Sequence, residues 1–254
     1  EMAHNNASQR LSHEVSRTGR ELSALDELAR LLGLSAPPSY IEAYDISNIG
    51  AGTIVGGMVV FEGGCPQKKY HRKFKMKTQL TPDDYASMRE MLSRRFGRYE
   101  EEKSSGEGFG RLPDLILLDG GKGHVAAVKP ILEASGLDIA LFGMVKDDKH
   151  RTRAIAEDGG EIAINRHRNI FTFVTNIQDE THRYANDYRK RMMHKKSYAA
   201  TLTELPGVGP KTSAALLAHF KTVTAVKQAS ISDLEEVKGI SHAKAENIYN
   251  ALRQ

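Results

Sequence analysis

Two aspartates and one histidine carry the chemistry that this 254-residue chain offers. Asp45 lies inside the strand-like segment Ile41-Glu-Ala-Tyr-Asp-Ile46, and Asp119 closes the unbroken apolar run Leu115-Ile-Leu-Leu118. An aspartate buried against an apolar strand costs several kcal/mol unless something compensates, so each acid is ion-paired, protonated or bound to a metal. A divalent cation held between them accounts for both at once. His182, in Gln178-Asp-Glu-Thr-His-Arg-Tyr184, is the third candidate donor. A lone histidine on a helix is more often a satisfied partner than a ligand, and the two acids are what shift that balance. Asp179 lies three residues earlier on the same helical face, where a carboxylate either binds metal or fixes the imidazole tautomer. Asp84 is a secondary candidate, because Thr81-x-x-Asp84 is also a helix-capping pattern that explains the acid without chemistry.

The last quarter of the chain carries a different signal. Leu205-Pro-Gly-Val-Gly-Pro-Lys211 and Val237-Lys-Gly-Ile-Ser-His-Ala243 repeat at one offset, with Leu202 matching Leu234, Val208 matching Ile240 and Leu216 matching Ile248. Each glycine hairpin joins two short helical patterns and turns backbone N–H groups outward at a helix N-terminus, where the local field favours phosphate. Two αα-corners that use glycine only for the turn are the plainer alternative. On the phosphate reading the contacts come from Gly207, Val208, Gly209 and Lys211 in the first hairpin and from Gly239, Ile240 and Ser241 in the second. Ser241 stands where the first hairpin has Gly209, so the first is expected to make the tighter contact.

These residues need a scaffold, and hydrophobic periodicity outlines one. Leu22, Leu25, Leu28 and Leu32 recur at helical spacing until Gly33 and the Pro37-Pro38 pair. Residues 1–39 therefore form a lead-in segment and helix. Strand-like patterns follow over 41–46 and 53–61, and Gly63-Gly64-Cys65-Pro66 turns into a third strand, giving an antiparallel meander. Tyr70, Phe74 and Met76 share one face of that third strand, and Lys69, His71, Lys73, Lys75 and Lys77 share the other. That cationic face is either solvated or applied to DNA. A helix opening at Pro82-Asp-Asp-Tyr85 is expected to bury Tyr85, Met88, Leu92 and Phe96, with a flexible loop over 100–110. Then come the strand ending on Asp119, a helix to about Glu133, a strand over 139–145, a hairpin over 152–165 and a long helix over about 170–190.

This order, a meander followed by helix, strand, helix and strand, predicts an α/β fold in which helices flank a ribonuclease H-like mixed sheet. It is expected over 40–192, with a linker at 193–197 and a small all-α tandem helix-hairpin-helix domain at 198–254. Nucleases of that architecture hold divalent cations between an acid on the first strand and an acid at the end of the fourth, the places of Asp45 and Asp119. The motifs Tyr44-Asp-Ile-Ser-Asn48, Pro82-Asp-Asp-Tyr85, Leu117-Leu-Asp-Gly-Gly-Lys-Gly123, Lys146-Asp-Asp-Lys-His-Arg-Thr152 and Asp179-Glu-Thr-His-Arg-Tyr184, followed by the paired hairpins, resemble the C-terminal half of UvrC, the bacterial nucleotide-excision-repair nuclease. The resemblance implies an Asp-Asp-His metal site at Asp45, Asp119 and His182, with Asp84 also implicated, and incision on the 5′ side of a lesion. It implies lesion-containing double-stranded DNA as substrate, with UvrB as partner and UvrA upstream of it. The family's other half, a GIY-YIG nuclease domain and a UvrB-contacting segment, has no counterpart in these residues. His124 replaces the glutamine that often follows Gly-Gly-Lys-Gly in the family.

Composition bounds the rest. A formal charge of +4 permits a polyanionic partner without establishing one. One cysteine, Cys65, excludes an intrachain disulfide and suits a reducing compartment. No apolar stretch approaches membrane-spanning length, so the expected location is the cytoplasm with no membrane partner. The expected chemistry is phosphodiester hydrolysis with Mg²⁺, Mn²⁺ substituting, since an imidazole among oxygen ligands is less restrictive than a carboxylate cage. Lys122 beside Asp119, and Lys146 with Lys149, His150 and Arg151, either contact phosphates or form a solvated charged loop. The rival readings are a non-catalytic DNA-structure-binding module and a junction- or RNA-directed nuclease on the same fold.

Overall fold

The computed structural model describes residues 19–48, 54–76, 83–147 and 152–253, with the side chains of 191, 192 and 194–196 left out. The chain divides into two compact units, Glu1–Arg189 and Lys190–Gln254.

The first unit is built on an eight-stranded mixed sheet. Strands β1 (Tyr40–Asn48) and β2 (Ile54–Glu62) pair antiparallel, and β3 (Cys65–Pro66) and β4 (Arg72–Lys75) both pair with β2. On the other edge of β1, β5 (Leu115–Asp119) and β6 (Ala140–Lys146) add in parallel, followed antiparallel by β7 (Thr152–Ala156) and β8 (Glu161–Ala163). Helix α1 covers 19–32; α2 is Asp84–Glu102, α3 Lys122–Ser135 and α4 Arg168–Thr203.

Strand alternation divides the side chains into two cores. Ile41, Ala43, Val59, Phe61, Leu115, Leu117, Phe142 and Met144 face one way and pack on Leu25 and Leu28 of α1 and on Ile170, Phe173, Val174 and Ile177 of α4. Tyr40, Tyr44, Met58, Val60, Ile116 and Leu118 face the other way, onto Met88, Met91, Leu92 and Phe96 of α2 and Val128 and Leu132 of α3. Each such large side chain contributes about 1.5–3 kcal/mol on burial, so both faces of β1 and β5 are held tightly. One charged pair crosses the second core. Glu42 of β1 accepts from Arg95 Nη2 of α2 at 2.7 Å, both side chains fully buried, and Arg95 also donates to the carbonyls of Phe109 and Arg111.

Four local expectations change. Two residues of the cationic face lie against α4: His71 is buried with its ring 5.1 Å from that of Tyr184, and Lys73 Nζ lies 4.8 Å from the Tyr184 ring. The preceding residues form a 3₁₀ turn, Lys68–Tyr70, so the strand is short. Tyr85 is 46% exposed and not part of the buried stripe, where Met91 and Arg95 take the place. Over 100–110 the chain continues α2 and makes two 3₁₀ turns that bury Phe109. The segment 193–197, expected as a linker, is helical within α4.

In the second unit, α5 (Pro210–Phe220), α6 (Val223–Gln228), α7 (Ile231–Glu235) and α8 (His242–Ala251) enclose Leu202, Val208, Leu216, Leu234, Val237, Ile240 and Ile248. Six of these, all but Val237, are the positions the repeat pairs. The backbone repeats too: Gly207 and Gly239 take φ of +77° and +90°, a region where L side chains are strained. Gly209 and Ser241 precede α5 and α8 with near-equal angles, φ −81° and ψ 175° against φ −85° and ψ 165°.

Candidate metal centre and nucleic-acid interface

The acids extend rows that the core begins. On β1 the row Ile41, Ala43 ends in Asp45; on β5 the row Leu115, Leu117 ends in Asp119; on β6 the row Phe142, Met144 ends in Lys146. The three strands are parallel and in register, so their C-terminal ends place two carboxylates and an ammonium on the α4 side of the sheet. Helix α4 delivers His182 to the same place, one turn past the buried Ile177 and Gln178. Its close approach depends on Gly57, the partner of Asp45 on β2, where an added Cβ would sit 3.2 Å from Ala185 Cβ and 3.2 Å from Tyr184 Cδ1.

One donor atom from each of Asp45, Asp119 and His182 lies within 4.8 Å of the other two. His182 Nδ1 is 3.3 Å from Asp45 Oδ2 and 3.8 Å from Asp119 Oδ2. The acids are nearly covered, with side chains 8% and 6% exposed, whereas the imidazole is 55% exposed, so the cluster opens to solvent through the histidine. Burial pushes the Asp45 carboxyl above its ordinary range, and the charge of Asp119 adds to that, while His182 and Lys146 oppose it. The Asp45 carboxylate in turn raises the His182 pKa against the pull of burial.

Asp119 accepts at both oxygens, from Gln178 Nε2 at 2.8 Å on Oδ1 and from Lys146 Nζ at 2.7 Å on Oδ2. Asp45 Oδ2 is buried and accepts no bond of hydrogen-bond geometry. A buried, unsatisfied carboxylate oxygen facing a second carboxylate and an imidazole fits a divalent cation: two oxygens and one nitrogen suit Mg²⁺ or Mn²⁺, and no thiolate is present to favour a softer metal. Lys146 is then a monovalent competitor on Asp119 Oδ2.

Asp84 is exposed at the first position of α2, and Asp83 caps the helix, accepting from Ala86 N at 2.9 Å. Capping therefore does not account for Asp84, and Thr81 lies outside the described residues. Asp84 is not among the three clustered donors, but its charge reaches His124, as does that of Asp119. Burial lowers the His124 pKa, and its ring lies 4.7 Å from that of Tyr85. Asp179 is exposed and outside the cluster.

Of the basic candidates, Lys122 is exposed at the start of α3 and Lys75 is exposed on β4, while Lys73 lies over the tyrosines of α4. Lys149, His150, Arg151 and Lys77 lie outside the described residues. In the hairpins, Val208 and Ile240 commit their N–H groups to Leu205 O and Val237 O, at 3.1 and 3.0 Å, and bury their side chains. The other predicted contact residues, Gly207, Gly209, Lys211, Gly239 and Ser241, are exposed.

Gln178 is the site residue that sequence reasoning missed. Its signal was a polar side chain at a seam position, four residues after Val174 and four before His182, where an apolar residue is expected.

A family model described as the UvrC RNAse H endonuclease domain matches residues 29–185, and one described as a SAM-like helix-hairpin-helix tandem matches 199–254. The UvrABC system protein C of Ruminiclostridium cellulolyticum is 45% identical over 226 residues, covering 88% of this chain and 37% of that protein. Its counterpart in Acetivibrio thermocellus is 41% identical over 270 residues, covering 100% and 43%. The chain thus spans about two fifths of the length of these curated relatives. The crystal structure of human ENDOV covers 72% of this chain at 12% identity and a TM-score of 0.38, too distant to bear on the site.

Proposed function

This chain belongs to the UvrC family, and from that premise we propose that it is a metal-dependent DNA endonuclease making the 5′ incision beside a lesion in nucleotide excision repair. The observation that carries the reading is the convergence of Asp45, Asp119 and His182 around a buried carboxylate oxygen with no hydrogen-bond partner.

Asp45, Asp119 and His182 would hold the cation, Mg²⁺ with Mn²⁺ able to replace it, and the chemistry so supplied would be Lewis acidity at the scissile phosphate and a lowered pKa of water. The rigid ends of β1 and β5 fix the two carboxylates, and the exposed side of His182 leaves the cluster open to a duplex. Lys146, which pairs with Asp119 Oδ2, would have its ammonium available to phosphate oxygens once a cation took that oxygen. Asp84, exposed and electrostatically coupled to His124, acts beside the triad. Gly209, Ser241 and Lys211, with Lys75 and Lys122, grip the DNA backbone without reading sequence, and Lys73 supports them. Damage selection comes from UvrB, loaded on lesion-bearing duplex by UvrA.

The test is Mg²⁺-dependent nicking of lesion-bearing duplex carrying preloaded UvrB. Asp119→Asn and Asp45→Asn are expected to abolish the 5′ nick while leaving DNA binding intact. Undiminished nicking by Asp119→Asn refutes the site; faster cleavage of an RNA–DNA hybrid than of the damaged duplex refutes the substrate.

A further inference from the structure

We propose that Gln178 is a positioning residue for the nuclease centre, orienting the Asp119 carboxylate so that Oδ2 faces Asp45 and His182; the inference rests on the metal-dependent reading above. Gln178 is 2% exposed, and its amide is held at both ends. Nε2 donates to Asp119 Oδ1 at 2.8 Å and to Met144 O at 3.0 Å, and Oε1 accepts from Thr152 Oγ1 at 2.6 Å. Turning the amide over would set Oε1 against two acceptors, so the surrounding groups dictate its orientation. Three elements meet on this one group: α4 supplies the glutamine, β6 the Met144 carbonyl, and β7 the threonine.

The consequence lies in which oxygen of Asp119 remains for a cation. Oδ1 is tied to a buried partner, whereas Oδ2 is tied to Lys146, whose side chain is 26% exposed and long enough to leave. Gln178 is therefore the permanent partner and Lys146 the exchangeable one. Gln178 and His182 are also one helical turn apart, so the face of α4 that brings the imidazole brings the amide that aims the opposing carboxylate. The chain Thr152, Gln178, Asp119 is of the kind in which an outer hydrogen bond sets the direction and basicity of a ligand.

Calorimetric titration of the full chain with Mn²⁺ tests this. Gln178→Leu is expected to weaken Mn²⁺ binding by about 10- to 100-fold, the range seen when an outer partner of a metal ligand is lost. Thr152→Val, which keeps volume and frees only the far end of the amide, is expected to weaken it less and to add nothing on top of Gln178→Leu. Lys146→Met, which removes the other partner of the same carboxylate, is expected to tighten binding, a change of sign that general destabilisation does not produce. Should Gln178→Leu fail to fold, Thr152→Val decides the matter. Mn²⁺ binding that is lost in Asp119→Asn but unchanged in both Gln178→Leu and Thr152→Val overturns the positioning role alone. No Mn²⁺ binding by the unaltered chain overturns the metal centre itself.

Discussion

Gly143→Ala is expected to disable the centre without altering any of its polar side chains. Gly143 lies on β6 opposite Leu118, with its vacant side directed at the turn after Asp119. A Cβ there would sit 2.2 Å from Gly120 O, about 1.2 Å inside the 3.4 Å at which ordinary contact begins. The obstacle is backbone, and Val125 Cγ2 at 3.3 Å closes the adjacent direction. Either β6 or the Gly120-Gly121 peptide that follows Asp119 must move by about 1 Å, at a cost of roughly 1–3 kcal/mol for overpacking. Misplacement of that size at a reacting centre reduces rate by about 100-fold. Thermal melting and single-turnover nicking of UvrB-loaded damaged duplex measure the two effects. Gly97→Ala is the control: it lies in the interior of α2, a Cβ meets nothing within 4 Å, and the change is expected to stabilise by about 0.5–1 kcal/mol with nicking unchanged. A Gly143→Ala protein with native melting and native nicking refutes the reasoning.

Other perturbations follow from the same geometry. Arg95→Met strands the buried Glu42 carboxylate and is expected to cost about 3–5 kcal/mol in urea unfolding, much of it recovered when Glu42 is also made apolar. Because Asp45 raises the His182 pKa, the metal-free fold favours the protonated ring: that stabilisation is complete below the unfolded value near 6.5 and fades as pH rises through the higher folded value. Mn²⁺ must displace that proton, so calorimetry is expected to show affinity rising over the same window, and His182→Ala should flatten the rise. Lys211→Ala is expected to weaken duplex binding uniformly across sequences and to reduce the salt-dependence slope by about 0.9 if it contacts one phosphate, read by anisotropy at several salt concentrations.

Local pattern revealed much of this. The apolar run ending at Asp119 and the strand holding Asp45 were visible because a sheet covered on both faces demands uninterrupted or regularly alternating apolar residues, and an acid at the end of such a row stands out. The hairpin repeat was visible because its core positions recur in step. What escaped depended on partners distant in sequence. Alternation alone exposes the row of His71, Lys73 and Lys75, yet Tyr184 of α4 lies over the first two. Helical spacing places Tyr85 in the stripe, yet its ring lies against His124 from α3. Glu42 and Arg95 are 53 residues apart, and nothing local to either announces a buried ion pair. Likewise the sequence leaves Lys146 as either a phosphate contact or part of a solvated loop, and its pairing with Asp119 follows only from the parallel register of β5 and β6.

The absent side chain at Gly57 governs how far α4 settles onto β2: a Cβ there would stand 3.2 Å from Ala185 and Tyr184, so even a methyl group would lift the helix by a few tenths of an ångström. A glycine that touches neither carboxylate thus sets how near the imidazole comes to them, and any larger residue there would widen the His182–Asp45 gap with all three candidate donors still in the sequence.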